Sequence, residues 1–372
     1  MVGPTGAGKS VLLALMALQF RRYAGAQIFA FDHGGSIRAA TLGVRGEWHD
    51  LGGSLGGDAP VSLQPLARID EPDERAWAAD WLAAILAREG FAVTPELKDH
   101  LWTALGSLAD APLNQRTLTG LSVLIQASGL KRALTPYTLA GPYGRLLDGD
   151  HEAFGTSDAQ AFETEGLIGT PAAPAVLAYL FHRIGRRLDG RPTLILIDEG
   201  WLALDDPLFG RQLKEWLKTL RKKNASVVFA TQCLADIEGS AIAPAIIESC
   251  PTRLFLANER ALEPQIAGIY RRFGLNDRQI EIIASATPKR DYYCQSAAGN
   301  RLFDLGLGPV ALAFTAASSR RDITAIGALL AEHGSGGFAA AWLRHRGLYW
   351  AADLVTAGTE LSPEPTEQET VA

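Results

Sequence analysis

Apolar positions along the chain follow two different spacings, which together predict a protein built of strands and helices. Four short runs are apolar at nearly every position and then turn polar, as buried parallel strands do; they read AQIFAFD, LILIDE, SVVFATQ and TRLFLAN. Between them, apolar residues recur at helical spacing, as Phe209, Leu213 and Trp216 do in DPLFGRQLKEWLKTLRKKN. Strands separated by helices favour an α/β fold around a mainly parallel sheet.

A central segment of the chain differs from its surroundings because helical patterns dominate it. One helix start is marked by Thr94-Pro95, with Thr94 as the N-cap and Pro95 at the first helical position. We therefore expect a largely helical insertion that divides the α/β domain in two. The expected boundaries are 1–69 for its first part, 70–190 for the insertion, 191–310 for its second part, 311–355 for C-terminal helices and 356–372 for a disordered acidic tail.

Composition excludes several classes of protein. The 372 residues are 47% hydrophobic, as in a globular protein, and their net charge of −6 argues against a nonspecific nucleic-acid coat, which is basic. The longest uninterrupted apolar run, Val11–Leu18, is far shorter than the roughly 20 residues that span a bilayer. Cys233, Cys250 and Cys294 are odd in number and widely spaced, which indicates reduced thiols of a cytoplasmic protein.

A glycine-rich loop at residues 3–10, GPTGAGKS, fits the pattern G-x-x-x-x-G-K-[S/T] that holds nucleotide phosphates. Its glycines let backbone N–H groups turn towards phosphate oxygens. Lys9 supplies a positive charge to the β- and γ-phosphates, and Ser10 offers a hydroxyl to Mg²⁺. The residues expected to bind ATP are Gly3, Pro4, Thr5, Gly6, Ala7, Gly8, Lys9, Ser10 and Val11. Such a loop normally follows a buried strand, which the two residues before Gly3 cannot form, so we expect that strand to be missing.

Two further strand ends carry polar side chains where ligands of open α/β sheets bind. Asp198 and Glu199 follow four apolar residues, and buried carboxylates are costly without cationic partners. Asp198 is placed to hold the Mg²⁺ hydration shell, and Glu199 to orient and deprotonate the attacking water. Gln232 ends the next strand and is placed to contact the γ-phosphate. A capping turn for Glu199 and a simple loop contact for Gln232 remain alternatives.

Arginines form a further group of candidates. Arg221 ends a basic helix stripe and Arg253 begins a strand, so either is a candidate arginine finger for its own site or a neighbour's; Arg260 ranks below them. A charged outer helix face that is only solvated is the alternative. Asp32, at a strand end, is a candidate either for nucleotide or metal-water contact or for an N-cap.

The stretches GPTGAGKSVLLALMALQFRRY, LILIDEGWLALDDPLFGRQLKEWLKTLRKKNASVVFATQ and AIIESCPTRLFLAN resemble the TrbE-type ATPase of conjugal-transfer systems, a large type IV secretion ATPase family. The resemblance extends to about residue 355. It implies a RecA-like P-loop motor that uses ATP and Mg²⁺, forms a hexameric ring and docks with other secretion components on the cytoplasmic side of the inner membrane. It maps the phosphate loop to Gly3–Ser10, the acidic pair to Asp198 and Glu199, the sensor glutamine to Gln232, and the arginine motifs to Arg221 and Arg253.

Departures from the family pattern leave alternatives open. Family members are about twice as long and carry an N-terminal domain, while His33 and Gly35 stand where a lysine and a larger or basic residue are expected. One alternative is a DNA-translocating coupling ATPase, although DNA contact is not indicated by the acidic composition. Another is a non-catalytic nucleotide-binding piece.

Overall fold

The computed structural model describes residues 1–53, 61–199, 207–239 and 243–360. Its main sheet has five strands, all paired in parallel, in the order β2-β3-β1-β4-β5. The strands are β1 (Gln27–Asp32), β2 (Glu47–Asp50), β3 (Ala159–Glu163), β4 (Thr193–Asp198) and β5 (Ala225–Ala230). A smaller antiparallel sheet contains β6 (Arg253–Leu256), β7 (Asp291–Ser296) and β8 (Gly299–Asp304). The α/β fold with a mainly parallel sheet is confirmed.

Helices connect and cover these strands. In chain order they are α1 (Lys9–Phe20), α2 (Arg38–Gly43), α3 (Pro72–Arg88), α4 (Pro95–Ala109), α5 (Leu118–Leu124), α6 (Ser128–Leu134), α7 (Gly144–Leu147), α8 (Ala173–Arg187), α9 (Pro207–Leu220), α10 (Leu234–Glu238), α11 (Ala243–Ser249), α12 (Pro264–Arg272), α13 (Asp277–Ser285), α14 (Pro309–Thr315), α15 (Arg320–His345) and α16 (Tyr349–Glu360). A backbone φ of 63° at Gly334 interrupts α15. Within the described residues, no helix combines the length and the hydropathy needed to cross a membrane.

The central strands divide their side chains between two cores. On β1, Phe29 and Phe31 face the core completed by α3–α6, α8 and α9, whereas Ile28 and Ala30 face the core completed by α1, α2 and α15. Residues of β1 and β4 are buried at every position, which explains their continuous apolar runs. Each large apolar side chain buried in this way contributes about 1.5–3 kcal/mol. The carboxyl ends of β1 and β4 are therefore well-packed positions for the side chains of a site.

The segment 70–190 contains α3–α8, but it is not helical throughout. As expected, Thr94 caps α4, its hydroxyl accepting a hydrogen bond from Leu97 N at 3.2 Å. The strand β3, which the sequence pattern does not predict, lies inside this segment and pairs with β1 and β2 in the main sheet. Its sequence, AQAFE, lacks the β-branched residues that mark a strand. The expected domain boundaries remain predictions.

The end of the helical region also differs from expectation. Helix α16 continues to Glu360, so residues 356–360 belong to a helix and not to the predicted tail. The remainder of that tail, 361–372, lies outside the described residues. Upstream of α16, the indole of Trp342 is fully buried and donates to the Ala313 carbonyl at 2.8 Å, which fastens α15 to α14.

Candidate nucleotide-binding site

A cavity of ≈ 790 Å³ opens at the carboxyl edge of the main sheet, where residues 3–8 lead into α1. It brings together residues that are far apart in the sequence. Its lining includes Thr5, Gly6, Gly8, Lys9, Ser10, Val11, His33, Ser36, Asp198, Glu199, Gln232, Lys289, Arg290 and Thr315. The sequence prediction had placed nine of these residues in or beside a nucleotide site. Gly3, Pro4 and Ala7, which the sequence also predicts to bind ATP, belong to the same loop but do not line the cavity.

The phosphate loop needs glycine at defined positions. Gly6 and Gly8 adopt φ values of 79° and 104°, which side-chain-bearing residues rarely adopt. A Cβ on Gly8 would also lie 2.5 Å from the Tyr292 hydroxyl, and a Cβ on Gly3 would lie 2.5 Å from Leu256 Cβ. Because the backbone passes this close to its neighbours, the loop is shaped by packing as well as by glycine freedom. It directs the N-terminus of α1, with its partial positive charge, into the cavity.

Lys9 places a buried positive charge at the base of the loop. Its Nζ donates to the Gly3 carbonyl at 2.8 Å and lies 3.9 Å from Glu199 Oε1. Burial lowers the pKa of Lys9, while the carboxylates of Glu199 and Asp198 act in the opposite direction. This is the charge that the motif assigns to the β- and γ-phosphates.

Asp198 is a buried carboxylate with spare coordinating capacity. Its Oδ2 is 3.5 Å from the Ser10 hydroxyl, and its buried Oδ1 has no hydrogen-bond partner within the part of the chain that is described. Burial, followed by the charges of Asp32 and Glu199, raises the pKa of Asp198 to about 7, although the charge of Lys9 acts in the opposite direction. A carboxylate and a hydroxyl side by side are hard oxygen donors of the kind that Mg²⁺ prefers, so these residues fit the ion.

Glu199 has an unusual backbone conformation. Its φ of 52° lies in the left-handed region, which costs a non-glycine residue roughly 1–2 kcal/mol. The Glu199 N–H still bonds to the Ala230 carbonyl at 3.1 Å, so β4 and β5 stay paired at the point where the carboxylate turns into the cavity. Strain of this kind is typical of functional positions.

Gln232 and Asp32 have different partners. Gln232 Oε1 accepts a hydrogen bond from the Thr5 hydroxyl at 2.5 Å, so the end of β5 contacts the phosphate loop directly. Asp32 accepts from the Ser36 hydroxyl at 2.5 Å and from Ile37 N at 2.8 Å. Asp32 therefore holds the turn that leads into α2 but is not its N-cap, which is Ile37 without a side-chain capping bond; Ser36, which donates to Asp32, lines the cavity.

The two higher-ranked arginine candidates lie away from this cavity. Arg221 is exposed in a short 3-10 helix, Arg221–Lys223, just before β5 and thus at the amino edge of the sheet. Arg253 begins β6, and its guanidinium donates to the Phe273 carbonyl at 2.6 Å and to the Ile247 carbonyl at 3.4 Å. Neither lines the cavity. A role for either as a finger in this chain's own site does not fit their positions.

Several residues of the site were not singled out from the sequence. Glu163, at the end of β3, accepts hydrogen bonds from Gly34 N at 3.0 Å and Gly35 N at 2.5 Å, and so shapes the loop that contains His33. That loop departs from the family pattern at His33 and Gly35, but the backbone N–H groups of its two glycines donate to the Glu163 carboxylate. Burial, followed by the charge of Asp32, raises the pKa of Glu163 to about 7.

The start of the β7–β8 hairpin forms the outer wall of the cavity. Lys289 N donates to the Ala7 carbonyl at 2.9 Å, and the Tyr292 hydroxyl donates to the Gly8 carbonyl at 3.1 Å. Lys289 and Arg290 line the cavity, with Arg290 paired to Asp304 at 2.8 Å. The sequence signal that could have identified this wall is the adjacent basic pair Lys289-Arg290, directly before an alternating strand.

The parallel sheet, the glycine loop entering α1 and the acidic end of β4 define a domain of P-loop NTPase fold. Residues 167–296 match the family model of the TraG P-loop domain. Among solved structures, VirB4 of Thermoanaerobacter pseudethanolicus superposes with a TM-score of 0.64 at 18% identity, over 84% of this chain and 90% of that one. The plasmid coupling protein TrwB in complex with ADP and Mg²⁺ gives a TM-score of 0.54 at 15% identity, over 82% of this chain and 84% of that one. These similarities confirm the fold.

Sequence similarity is more specific. The chain is 46% identical over 360 residues to the conjugal transfer protein TrbE of Rhizobium radiobacter, which covers 95% of this chain and 44% of that protein. This chain is therefore a homologue of the TrbE and VirB4 proteins of type IV secretion systems, and the resemblance predicted from its motifs is confirmed. It spans less than half the length of the TrbE relative.

Proposed function

We propose that this chain binds ATP with Mg²⁺ and hydrolyses it to energise a conjugal-transfer or type IV secretion system. One observation carries the proposal: the phosphate loop, the acidic end of β4 and the glutamine at the end of β5 converge on one cavity. The TrbE name of its relative supplies the biological setting. Pilus assembly and substrate export are the two processes that such energy would drive.

In this proposal, the loop N–H groups and Lys9 bind the phosphates. Ser10 and Asp198 would hold Mg²⁺, which supplies neutralisation of the charge on the β- and γ-phosphate oxygens. Oδ1 of Asp198 has no hydrogen-bond partner among the described residues, which supports that assignment because a buried carboxylate oxygen without a donor is costly. Lys289, on the opposite wall, adds a second cation facing the phosphates.

Glu199 is proposed as the general base. It accepts a proton from water while the water oxygen forms a bond to the γ-phosphorus and the bond from that phosphorus to the bridging oxygen of ADP breaks. Gln232 contacts the γ-phosphate region, and its bond to Thr5 links the end of β5 to the phosphate loop. Loss of the γ-phosphate would then change the contacts of both the phosphate loop and the end of β5.

An arginine from another copy of the chain completes the proposed site. Arg221 is exposed at the far edge of the sheet, so it is available only to a neighbouring molecule. Arg253 is more constrained, because two backbone carbonyls already hold its guanidinium. This geometry is consistent with a ring, which we propose to be a hexamer at the cytoplasmic face of the inner membrane together with other secretion components.

Release of phosphate from ATP in the presence of Mg²⁺ tests the proposal. We expect Lys9→Ala to abolish ATP binding measured by calorimetry. Glu199→Gln should retain ATP binding but lower turnover by about 10²–10⁴-fold, the usual contribution of a general base. Glu259→Gln, at an exposed position outside the cavity, is the matched control and should leave turnover unchanged. Unchanged turnover in Glu199→Gln would refute the assigned role, and no ATP binding by the parent would refute the function.

A DNA-translocating function is the second candidate, because the fold is shared with the coupling protein TrwB. Single- and double-stranded DNA added to the same assay distinguishes the two. Stimulation of turnover by DNA that is lost at high salt would favour translocation. ATP turnover that does not change when DNA is added favours the function in secretion.

A further inference from the structure

His33 is a polar residue of the nucleotide cavity to which the proposed function gives no role. It follows β1 in the sequence FDHGGS and lines the cavity together with Ser36. The family resemblance leads us to expect a lysine at this position. A lysine and an imidazole both offer N–H donors, so the departure changes the length and charge of a donor and not its presence. His33 is therefore a candidate for contact with the nucleotide.

The main sheet places His33 level with the residues proposed for catalysis. The strands β1, β4 and β5 are neighbours in this sheet, and Phe31 pairs with Ile197 in parallel register. His33 therefore follows β1 at the level at which Glu199 follows β4, about 5 Å to the side. Gln232 follows β5 on the other side of Glu199. All three residues line the cavity, and Glu199 belongs to the middle strand.

Two buried carboxylates hold the backbone of the loop that carries His33. Asp32 accepts a hydrogen bond from Ile37 N at 2.8 Å. Glu163 accepts from the N–H groups of the two glycines that follow His33, at 3.0 Å and 2.5 Å. These hydrogen bonds come from backbone N–H groups and do not involve the imidazole. A loop that is fixed in this way presents the His33 side chain at a defined position.

The two ring nitrogens of His33 have different surroundings. Nδ1 is buried and has no hydrogen-bond partner in the described part of the chain. A buried N–H group without an acceptor is rare in proteins, so in the neutral ring the proton belongs on the other nitrogen, Nε2. The residue itself is only partly buried and lines the cavity. The Nε2–H group is then the donor that His33 can offer to a ligand there.

We propose that His33 is a nucleotide-binding residue that donates from Nε2 to an oxygen of the terminal phosphate of bound ATP. The inference rests on the proposed function, because it takes ATP as the occupant of the cavity. His33 and Gln232 flank the γ-phosphate from the two sides of Glu199, which is proposed to orient the attacking water. A hydrogen bond to a charged phosphate oxygen is stronger than one between neutral groups. ADP lacks this phosphate, so His33 contributes to the affinity for ATP and not to that for ADP.

Calorimetric titration of the full chain with ATP and with ADP, each with Mg²⁺, measures this contribution. We expect His33→Ala to weaken ATP binding by about tenfold or more, as for one lost hydrogen bond to a charged oxygen, and to leave ADP binding within about twofold. The amide nitrogen of His33→Gln reaches about as far as Nε2, so this variant should bind ATP within about threefold of the parent. The shorter side chain of His33→Asn reaches only to the level of Nδ1, so this variant should resemble His33→Ala. The control is His100→Ala, at an exposed position on α4 outside the cavity, which should match the parent.

Nuclear magnetic resonance of the parent chain tests the same inference without relying on a variant that must fold. The ¹⁵N chemical shifts of the His33 ring in alkaline buffer report which nitrogen carries the proton, and the spectrum of His33→Gln assigns the signals. We expect the proton on Nε2 in the free chain. Addition of ATP with Mg²⁺ should shift the Nε2 signal, and addition of ADP with Mg²⁺ should shift it much less.

The possible results separate this inference from the function on which it rests. Absence of ATP binding by the parent would refute the proposed function and the role of His33 together. ATP binding by the parent that is unchanged in His33→Ala would refute only the role of His33. An equal loss of affinity for ATP and ADP would place the contact elsewhere on the nucleotide and would also overturn the inference. A proton found on Nδ1 in the free chain would overturn the assigned donor.

Discussion

Replacing Asp198 by asparagine should stabilise the protein in the absence of nucleotide and metal, even though it damages the site. The substitution keeps the shape of the side chain and removes the charge of a residue that is 6% exposed and whose Oδ1 has no hydrogen-bond partner in the described part of the chain. Burial raises the pKa of Asp198 from 3.8 to about 7. Such a rise corresponds to a cost on the order of 4 kcal/mol for the ionised carboxylate in the folded state, since each tenfold change in the equilibrium is about 1.4 kcal/mol.

The sign of the pH dependence follows from linkage. Below about pH 4, Asp198 is protonated in both the folded and the unfolded state and imposes no penalty. Between pH 4 and pH 7 the unfolded chain loses this proton while the folded chain keeps it, so the Asp198 contribution to the free energy of unfolding falls as pH rises. Above pH 7 the whole penalty is present. The Asp198→Asn variant escapes this penalty because an amide does not ionise.

Calorimetric unfolding of parent and variant at pH 4.5 and pH 8, without nucleotide or divalent ions, measures the effect. We expect a gain of roughly 2–4 kcal/mol for Asp198→Asn at pH 8 and a much smaller one at pH 4.5. As a control, Asp80→Asn, on an exposed carboxylate paired with Lys98 at 3.4 Å, should change stability by less than about 0.5 kcal/mol.

Two results would refute this reasoning. A difference between parent and Asp198→Asn that is the same at both pH values would show that the charge is not the cause. A loss of stability at pH 8 would show that the carboxylate is satisfied in the folded protein. The same variant should lose Mg²⁺-dependent ATP affinity, so the site is expected to trade stability for function.

Three further predictions concern the loop, the hairpin and the C-terminal helices. The Gly8→Ala variant should unfold at a lower denaturant concentration than Gly6→Ala. Both substitutions strain a positive φ, but only that at Gly8 places a Cβ 2.5 Å from the Tyr292 hydroxyl. Lys289→Ala should weaken ATP binding by about tenfold without changing the melting temperature, because an exposed lysine that contacts a phosphate is lost. Equal ATP affinity of the variant and the parent would show that Lys289 does not contact the nucleotide. Trp342→Ala should cost about 3–5 kcal/mol in denaturant unfolding, since a fully buried indole is lost; a cost below about 1 kcal/mol would contradict the packing described for α15.

Sequence alone determined the features that depend on local chemistry. Glycine spacing before Lys9 identifies the phosphate loop because glycine adopts the positive φ found at Gly6 and Gly8 without the steric cost that other residues incur. Apolar runs that end in Asp198 and Gln232 identify buried parallel strands and the edge at which their polar ends meet. Together these signals were enough to predict the α/β fold, the composition of one side of the cavity and the homology to TrbE.

Only the tertiary structure decided what depends on pairing between distant segments. The strand β3 has little intrinsic β-propensity and exists because β1 and β2 flank it, so Glu163 could not be recognised as a support of the site. Lys289 reaches the phosphate loop, and Arg221 is carried to the opposite edge, because of how the hairpin and β5 pack, which no local pattern encodes. Val2 is a further example, because the local sequence does not predict a strand there. Its strand pairing comes from Thr231 and Phe255, which are distant in the sequence and lie on either side of it in the structure.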